Sequence, residues 1–303
     1  LDFVDFVHLV FRRFAININR YGWFIYWKDL HGSKRTDNFG ENSLATYARG
    51  AILADTGANI QINGGTFNAL KAIVDIQNNL GDASKNPTGE IKGGIFSADP
   101  SNAYVKVAEG YVVVDNNGVY TVAKPVAQIG ETMYATIADA VAALKANGGT
   151  LKLLADVNES MTFNYPAAGA PTEITVDLNG FTVTSAESTL WVSDGYVVTV
   201  KDSSAAKTGK IISTGAKGEA IAINRNGHVI LESGYIYNDF CAVWLYNATE
   251  NGSFVMNGGT LEVPNGGQTL SVGAGKATIN GGKILCNKVP NGGGWNTLVY
   301  EKG

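Results

Sequence analysis

The side chains able to do chemistry in this 303-residue chain are scattered acids, three histidines, two cysteines and a set of tryptophans and tyrosines. Hydrolysis of a glycosidic bond needs two carboxyl groups across one bond, and elimination needs a base with a cation to hold the developing charge. Asp177, Asp194, Asp202, Glu219, Glu232, Asp239 and Glu262 include no adjacent acid pair. The densest polar cluster is Arg225-Asn226-Gly227-His228, with Glu232 and Asp239 further along, and it reads as a loop built on an Asn-Gly turn. Cys241 and Cys286 each share the parity of neighbouring apolar residues, which predicts small buried hydrophobes facing a core. No EF-hand loop and no His/Cys ligand spacing is present, and the glycine corners are followed by Thr, Ile, Lys or Tyr instead of the acids of a calcium-binding repeat. Asn291-Gly292-Gly293-Gly294 is followed by no Lys-Ser/Thr and no helix, so it is not a phosphate loop. No metal, cofactor or catalytic set is expected.

Aromatic side chains give the better binding hypothesis. Trp191 and Trp244 occupy equivalent places in two related segments, with Ala222 at that place in the segment between them. If those segments are stacked strands, the two indoles face outward about 10 Å apart. Tyr246 projects beside Trp244, while Tyr235 and Tyr237 face outward on another side. Exposed rings of this kind stack on sugars or meet a partner surface.

The elements that must carry these rings repeat along the chain. IQINGGTF (60–67), GEIKGGIF (89–96), SFVMNGGTL (253–261) and KATINGGKI (276–284) each run alternating apolar residues into a glycine pair. HVILESGYI (228–236) is the same unit with Ser233-Gly234, and TVDLNGFTV (175–183) and KTGKIIST (207–214) are more distant copies. The second glycine or its equivalent falls at 65, 94, 180, 209, 234, 259 and 282, so repeats within each run are roughly 23 to 29 residues long, as in solenoids. A second strand pattern places Ile52, Leu190, Ile221, Val243, Leu270 and Leu298 at one inward position. One apolar residue per coil at one place builds a continuous interior column. The Leu-x-x-Leu-x-Leu signature of a horseshoe is missing, and so are the hairpin turns that a sandwich shows about every 8 to 12 residues.

Glycine and asparagine close the coils. Asn63-Gly64-Gly65, Gly93-Gly94, Asn257-Gly258-Gly259 and Asn280-Gly281-Gly282 are predicted corners, with Asn257 and Asn280 placed for a hydrogen-bonded ladder. Between the two runs of coils, residues 134–149 put Ile137, Ala140, Val141 and Leu144 on one helical face. Thr136 and Asp139 form a capping box there, and Asn147-Gly148-Gly149 is the stop. Such a helix covers the open end of a solenoid.

At the junction the residues resemble a known family. GGIFSADPSNAYVKVAEGYVVVDNNGVYTV (93–122) looks like the end of a unit in large adhesin-like surface proteins of gut Firmicutes and their relatives, with Lys106-Val107 as a small departure. IGETMYATIADAVAALKANGGTLKLLADV (129–157) and TEITVDLNGFTVTS (172–185) resemble the start of the next unit. The resemblance covers roughly residues 45–300 and implies tandem right-handed parallel β-helix units of pectate-lyase-like architecture, secreted or at the cell surface.

The expected organisation is therefore all-β: an atypical segment 1–44, the C-terminal part of a first β-helix unit at 45–124, and a second unit at 125–303 opening with a capping helix. The aromatic, Arg-Arg-bearing residues 1–44 read as a divergent cap or as sequence foreign to the domain, and the chain as a whole reads as a piece of something longer. A net charge of −4 argues against nucleic acid as partner, and no stretch has the roughly 20 apolar residues that a membrane span needs. The expected function is a non-enzymatic structural or adhesive module, its partners a host or microbial glycan or a surface protein. A polysaccharide-cleaving β-helix enzyme and a phage or prophage fibre are the alternatives.

Overall fold

The structure is a computed structural model, and it describes residues 15–18, 50–54, 57–69, 72–76, 81–216, 218–246, 251–264, 267–286 and 297–300. Most of segment 1–44, and the glycine run at 291–294, lie outside the described residues. The chain divides into two compact units, Leu1–Lys124 and Pro125–Gly303, which together contribute about nine turns of parallel β-solenoid.

In the first unit the long strands Asn59–Phe67 and Thr88–Phe96 pair in parallel, with the register shifting at Asn63 where the chain passes its glycine corner. Strand Ala15–Ile18 pairs with the first of them, and Gly50–Ala54 pairs with Ala72–Ile76, which sets Ile52 beside Val74. Ile60, Ile62, Ile91, Phe67 and Phe96 fill the interior, the two phenyl rings stacked at 5.2 Å. Val112–Asn116 and Val119–Ala123 then form a hairpin, turning at Asn117 and Gly118 with φ of 53° and 87°, the conformation that Asn-Gly favours. Its second strand runs antiparallel to Gly94–Phe96 and so ends the parallel ladder.

The second unit has three parallel sheets, visited in turn by each coil. The first sheet ends in Glu173–Asp177, Val197–Lys201, His228–Leu231, Ser253–Met256 and Lys276–Ile279. The second stacks Thr182–Ser185, Lys210–Ser213, Tyr235–Tyr237, Thr260–Val263 and Lys283–Cys286. The third stacks Met161–Phe163, Leu190–Val192, Glu219–Ile223, Cys241–Leu245, Gln268–Val272 and Thr297–Tyr300. Leu190, Ile221, Val243 and Leu270 are successive register partners and buried, the interior column read from the sequence; the backbone of Leu298 pairs next in line, and Ile52 belongs to the other unit.

Helix α1, Ile137–Asn147, buries Ile137, Ala140, Val141 and Leu144. The Thr136 hydroxyl accepts from the Asp139 N–H at 3.1 Å, and Gly148, at φ 68°, donates its N–H to the Leu144 carbonyl. The cap has a second part that the sequence did not suggest. Strands Ala127–Ile129 and Thr132–Tyr134 form a hairpin that lies antiparallel on Gly149–Leu153, closing the first sheet's starting edge.

The glycine pairs at 258–259 and 281–282 let successive coils approach closely. A Cβ at Gly281 would stand 2.7 Å from the Asn257 carbonyl oxygen of the coil before, and one at Gly258 would run into the Glu232 carbonyl oxygen. A Cβ at Gly259 would likewise stand 2.7 Å from the Gly234 carbonyl oxygen and one at Gly282 2.7 Å from that of Gly259, and these two glycines also hold φ of 82° and 94°. Gly258→Ala is expected to cost about 1–3 kcal/mol, because the coils must part to admit the methyl group. Gly64 has an ordinary φ and a Cβ there would meet no atom of the described residues within 4 Å, so Gly64→Ala is expected to leave stability unchanged or raise it by up to about 1 kcal/mol. Urea melts of both variants check the contrast. Above the corner the Asn280 amide donates to Asn257 at 2.8 Å and the Asn257 amide to Glu232 at 2.8 Å, so the asparagine ladder is extended by a carboxylate. The overlay of Gly180 with this column is corrected by one residue: Phe181 stands below Gly209.

Candidate functional site

The outward column of the third sheet is Trp191, Ala222, Trp244 and Ser271, fixed by parallel pairing. Ala222 leaves a gap one ring wide between the indoles, and Tyr246 fills it. Its ring lies 5.6 Å from Trp191, and 4.9 Å from Trp244 at only 10°. Ala222, beneath, is 0% exposed. The sequence spacing suggested two separate indoles, whereas the structure makes a continuous row of three half-buried rings, flanked by Phe240 at 6.4 Å from Trp244. Buried Asn238 sets the corner leading into this strand: its side-chain oxygen accepts the N–H groups of Phe240 and Cys241, both at 2.6 Å, and its amide donates to the Ser213 carbonyl.

Under the row lies a polar column that the sequence reading passed over: Glu219, Cys241 and Gln268, in register on successive coils. Glu219 is only 3% exposed, and its two oxygens accept from the Ser188 hydroxyl at 2.7 Å and the Tyr246 hydroxyl at 3.1 Å. Burial, and then the charge of Glu219, push the Cys241 thiol and the Tyr246 phenol well above their ordinary ranges. Cys241 is buried as expected, but the apolar core takes in Ala242 and Val243 while Cys241 stands between a carboxylate and an amide. Cys286, half-buried, continues the column of Val263. The signal for the polar column was present in the aligned first residues of EAIAIN, CAVWLYN and QTLSVG. Two buried polar atoms here have no hydrogen-bond partner among the described residues: the indole N–H of Trp244 and the side-chain oxygen of Gln268.

Tyr235 and Tyr237 lie on the second sheet, away from this row, and stack on each other at 6.2 Å and 15°. Their hydroxyls donate to Glu262 at 2.5 Å and Asp239 at 3.0 Å, and the Lys210 ammonium sits 5.5 Å from the Tyr235 ring. Burial and the adjacent Glu262 raise the Tyr235 phenol strongly. Each ring turns a face to the other and its polar end to an acid, the build of a surface brace between coils.

The polar cluster around Arg225 is dispersed. Arg225 pairs with Asp194 at 2.9 Å and lies over the Tyr165 ring at 4.8 Å; His228 meets the Ser253 hydroxyl, Glu232 meets Asn257, and Asp239 meets Tyr237. Other acids hold backbone where the β-ladder is interrupted. Asp177 accepts the N–H groups of Asn179 and Ser203, and Asp156 that of Thr182. In the first unit an open groove of about 490 Å³ is lined by Asn59, Gln61, Thr88, Glu90 and Tyr104, and its side chains bond to one another through Asn59–Thr88 and Gln61–Asn59. Among the described residues no group of three or more His, Cys, Asp or Glu is placed to hold a metal ion, and no helix is long and apolar enough to cross a membrane.

Parallel sheets visited in turn by successive stacked coils define a β-solenoid protein. Compared with protein-family models, curated proteins and solved structures, the chain matches none.

Proposed function

We propose that the chain is a non-enzymatic structural or adhesive surface module that holds glycans against the row Trp191–Tyr246–Trp244. The observation that supports this most is the row itself, three rings held on one rigid sheet and half open to solvent. Acids engaged in backbone and side-chain bonds, with no convergent pair among those described, favour binding over cleavage. The resemblance at residues 93–122 points the same way, toward an extracellular or cell-surface setting. On a glycan array the wild type is expected to retain at least one oligosaccharide. Trp191→Ala and Trp244→Ala should each weaken that binding about tenfold or more, while Tyr237→Ala, on the other sheet, leaves it unchanged. Incubation with the same glycans should release no reducing ends. Binding that survives both tryptophan replacements removes the row from the proposal, and release of reducing ends reverses the choice against an enzyme.

A further inference from the structure

We infer that Glu219 is a specificity-determining residue of the aromatic row, selecting uncharged or amino-bearing sugars and rejecting acidic ones. The inference rests on the row being a glycan site. Glu219 lies on the coil between Trp191 and Trp244, in the strand whose Ala222 is covered by the row. It is 3% exposed, and among the described residues no cation pairs with it. Two hydroxyls, Ser188 and Tyr246, donate to its oxygens, which is the environment of an ionised carboxylate. The negative charge is thus held under the ring that joins the two indoles, where solvent screens it poorly.

The hydroxyl geometry adds a second reason. The Tyr246 phenolic proton is committed to Glu219, so any further group meeting that oxygen must donate to it. Sugar hydroxyls, amides and ammonium groups donate; a uronate or sulfate oxygen does not. At the other end of the polar column, Gln268 is 5% exposed and its buried side-chain oxygen has no hydrogen-bond partner among the described residues, so this end of the column carries no cation either. Among the described residues of these strands there is no arginine or lysine, which recognition of an anionic glycan requires.

The test uses the whole chain and matched pairs of oligosaccharides: glucans, galactans and mannans of equal length, each beside its counterpart oxidised to the uronate at C6. The wild type should bind a neutral member about tenfold or more tightly than its uronate partner. Glu219→Gln, which keeps the shape and an acceptor but removes the charge, should close most of that gap. Because the charge is held away from solvent, the gap in the wild type should persist as salt rises from about 0.01 M to 0.15 M, a readout that needs no variant and no assumption about its folding; a gap that salt abolishes would assign it to exposed surface charges instead. Equal wild-type affinity for both members of a bound pair overturns the role of Glu219 and leaves the aromatic row standing. Failure of the wild type to bind any member overturns the row as a glycan site and this inference with it.

Discussion

Asp202→Ala is expected to lower the stability of the second unit by about 3–5 kcal/mol, the largest loss expected from any of the described acids. Asp202 is 1% exposed, and its carboxylate accepts three backbone N–H groups: Gly180 at 2.9 Å, Ser204 at 2.9 Å and Gly209 at 2.6 Å. Gly180 belongs to the preceding coil, so the carboxylate ties two coils together where no β-ladder runs between them. Alanine would leave three donors without this acceptor, of which the Gly209 N–H is buried and those of Gly180 and Ser204 are partly buried. Burial by itself would raise this carboxyl's pKa, but the N–H groups of Gly209, Ser204 and Gly180 outweigh it and hold the group below the usual carboxylate range. The direction fixes the pH response. A depressed folded pKa means that the contribution is complete above the unfolded value, near 4, and is lost as pH falls through the folded one. Thermal melts at stepped pH should therefore show a steep fall for the wild type below about pH 4, and a shallower one for Asp202→Ala. Equal stability of the two proteins at pH 7 would show that the corner carboxylate carries no weight.

Phe254→Ala should cost a similar amount, about 3–5 kcal/mol, for a different reason. Phe254 is fully buried in the first sheet, with the smaller Val229 and Ala277 as its register partners on either side. Its ring fills the space that neither neighbour can fill, and truncation leaves a cavity that the rigid coils close only in part. In a solenoid each coil is held only by its two neighbours, so the loss is not shared evenly. Amide hydrogen exchange should show protection falling first in Ser253–Met256 and Lys276–Ile279, while Glu173–Asp177 keeps wild-type rates. Uniform loss across the unit would mean that it melts as one block.

The parts of the fold legible from sequence are those written by repetition. Leu190, Ile221, Val243 and Leu270 could be aligned because every coil must bury one apolar side chain at the same place, and α1 because its apolar face, cap and stop agree with one another. The places where alignment misled are those where a coil departs from strict alternation. Cys241 has the parity of Val243, yet Ala242 joins the core and Cys241 joins a polar column, because residues 219–223 and 241–245 are buried throughout. The outward aromatics were legible as candidate binding residues but not as one continuous row. That Tyr246 bridges the gap over Ala222 depends on a side chain crossing between coils, which no spacing along one strand records. Glu219 was visible only as one more scattered acid, since its significance comes from the hydroxyls that two other segments bring to it.

The hairpin and helix at residues 127–147 have a consequence at the level of the gene. They are encoded with the coils they seal, directly after Lys124, and the first unit's own closing hairpin at 112–123 is encoded just before it. A duplication or exchange with its breakpoint near codon 125 would therefore transfer a segment whose leading edge is already shut, and leave behind one whose trailing edge is shut as well. Breakpoints elsewhere would cut through a coil and expose raw strand edges to pairing with other chains. The sealing elements thus make this one position the natural seam for building arrays of different length from the same coding unit.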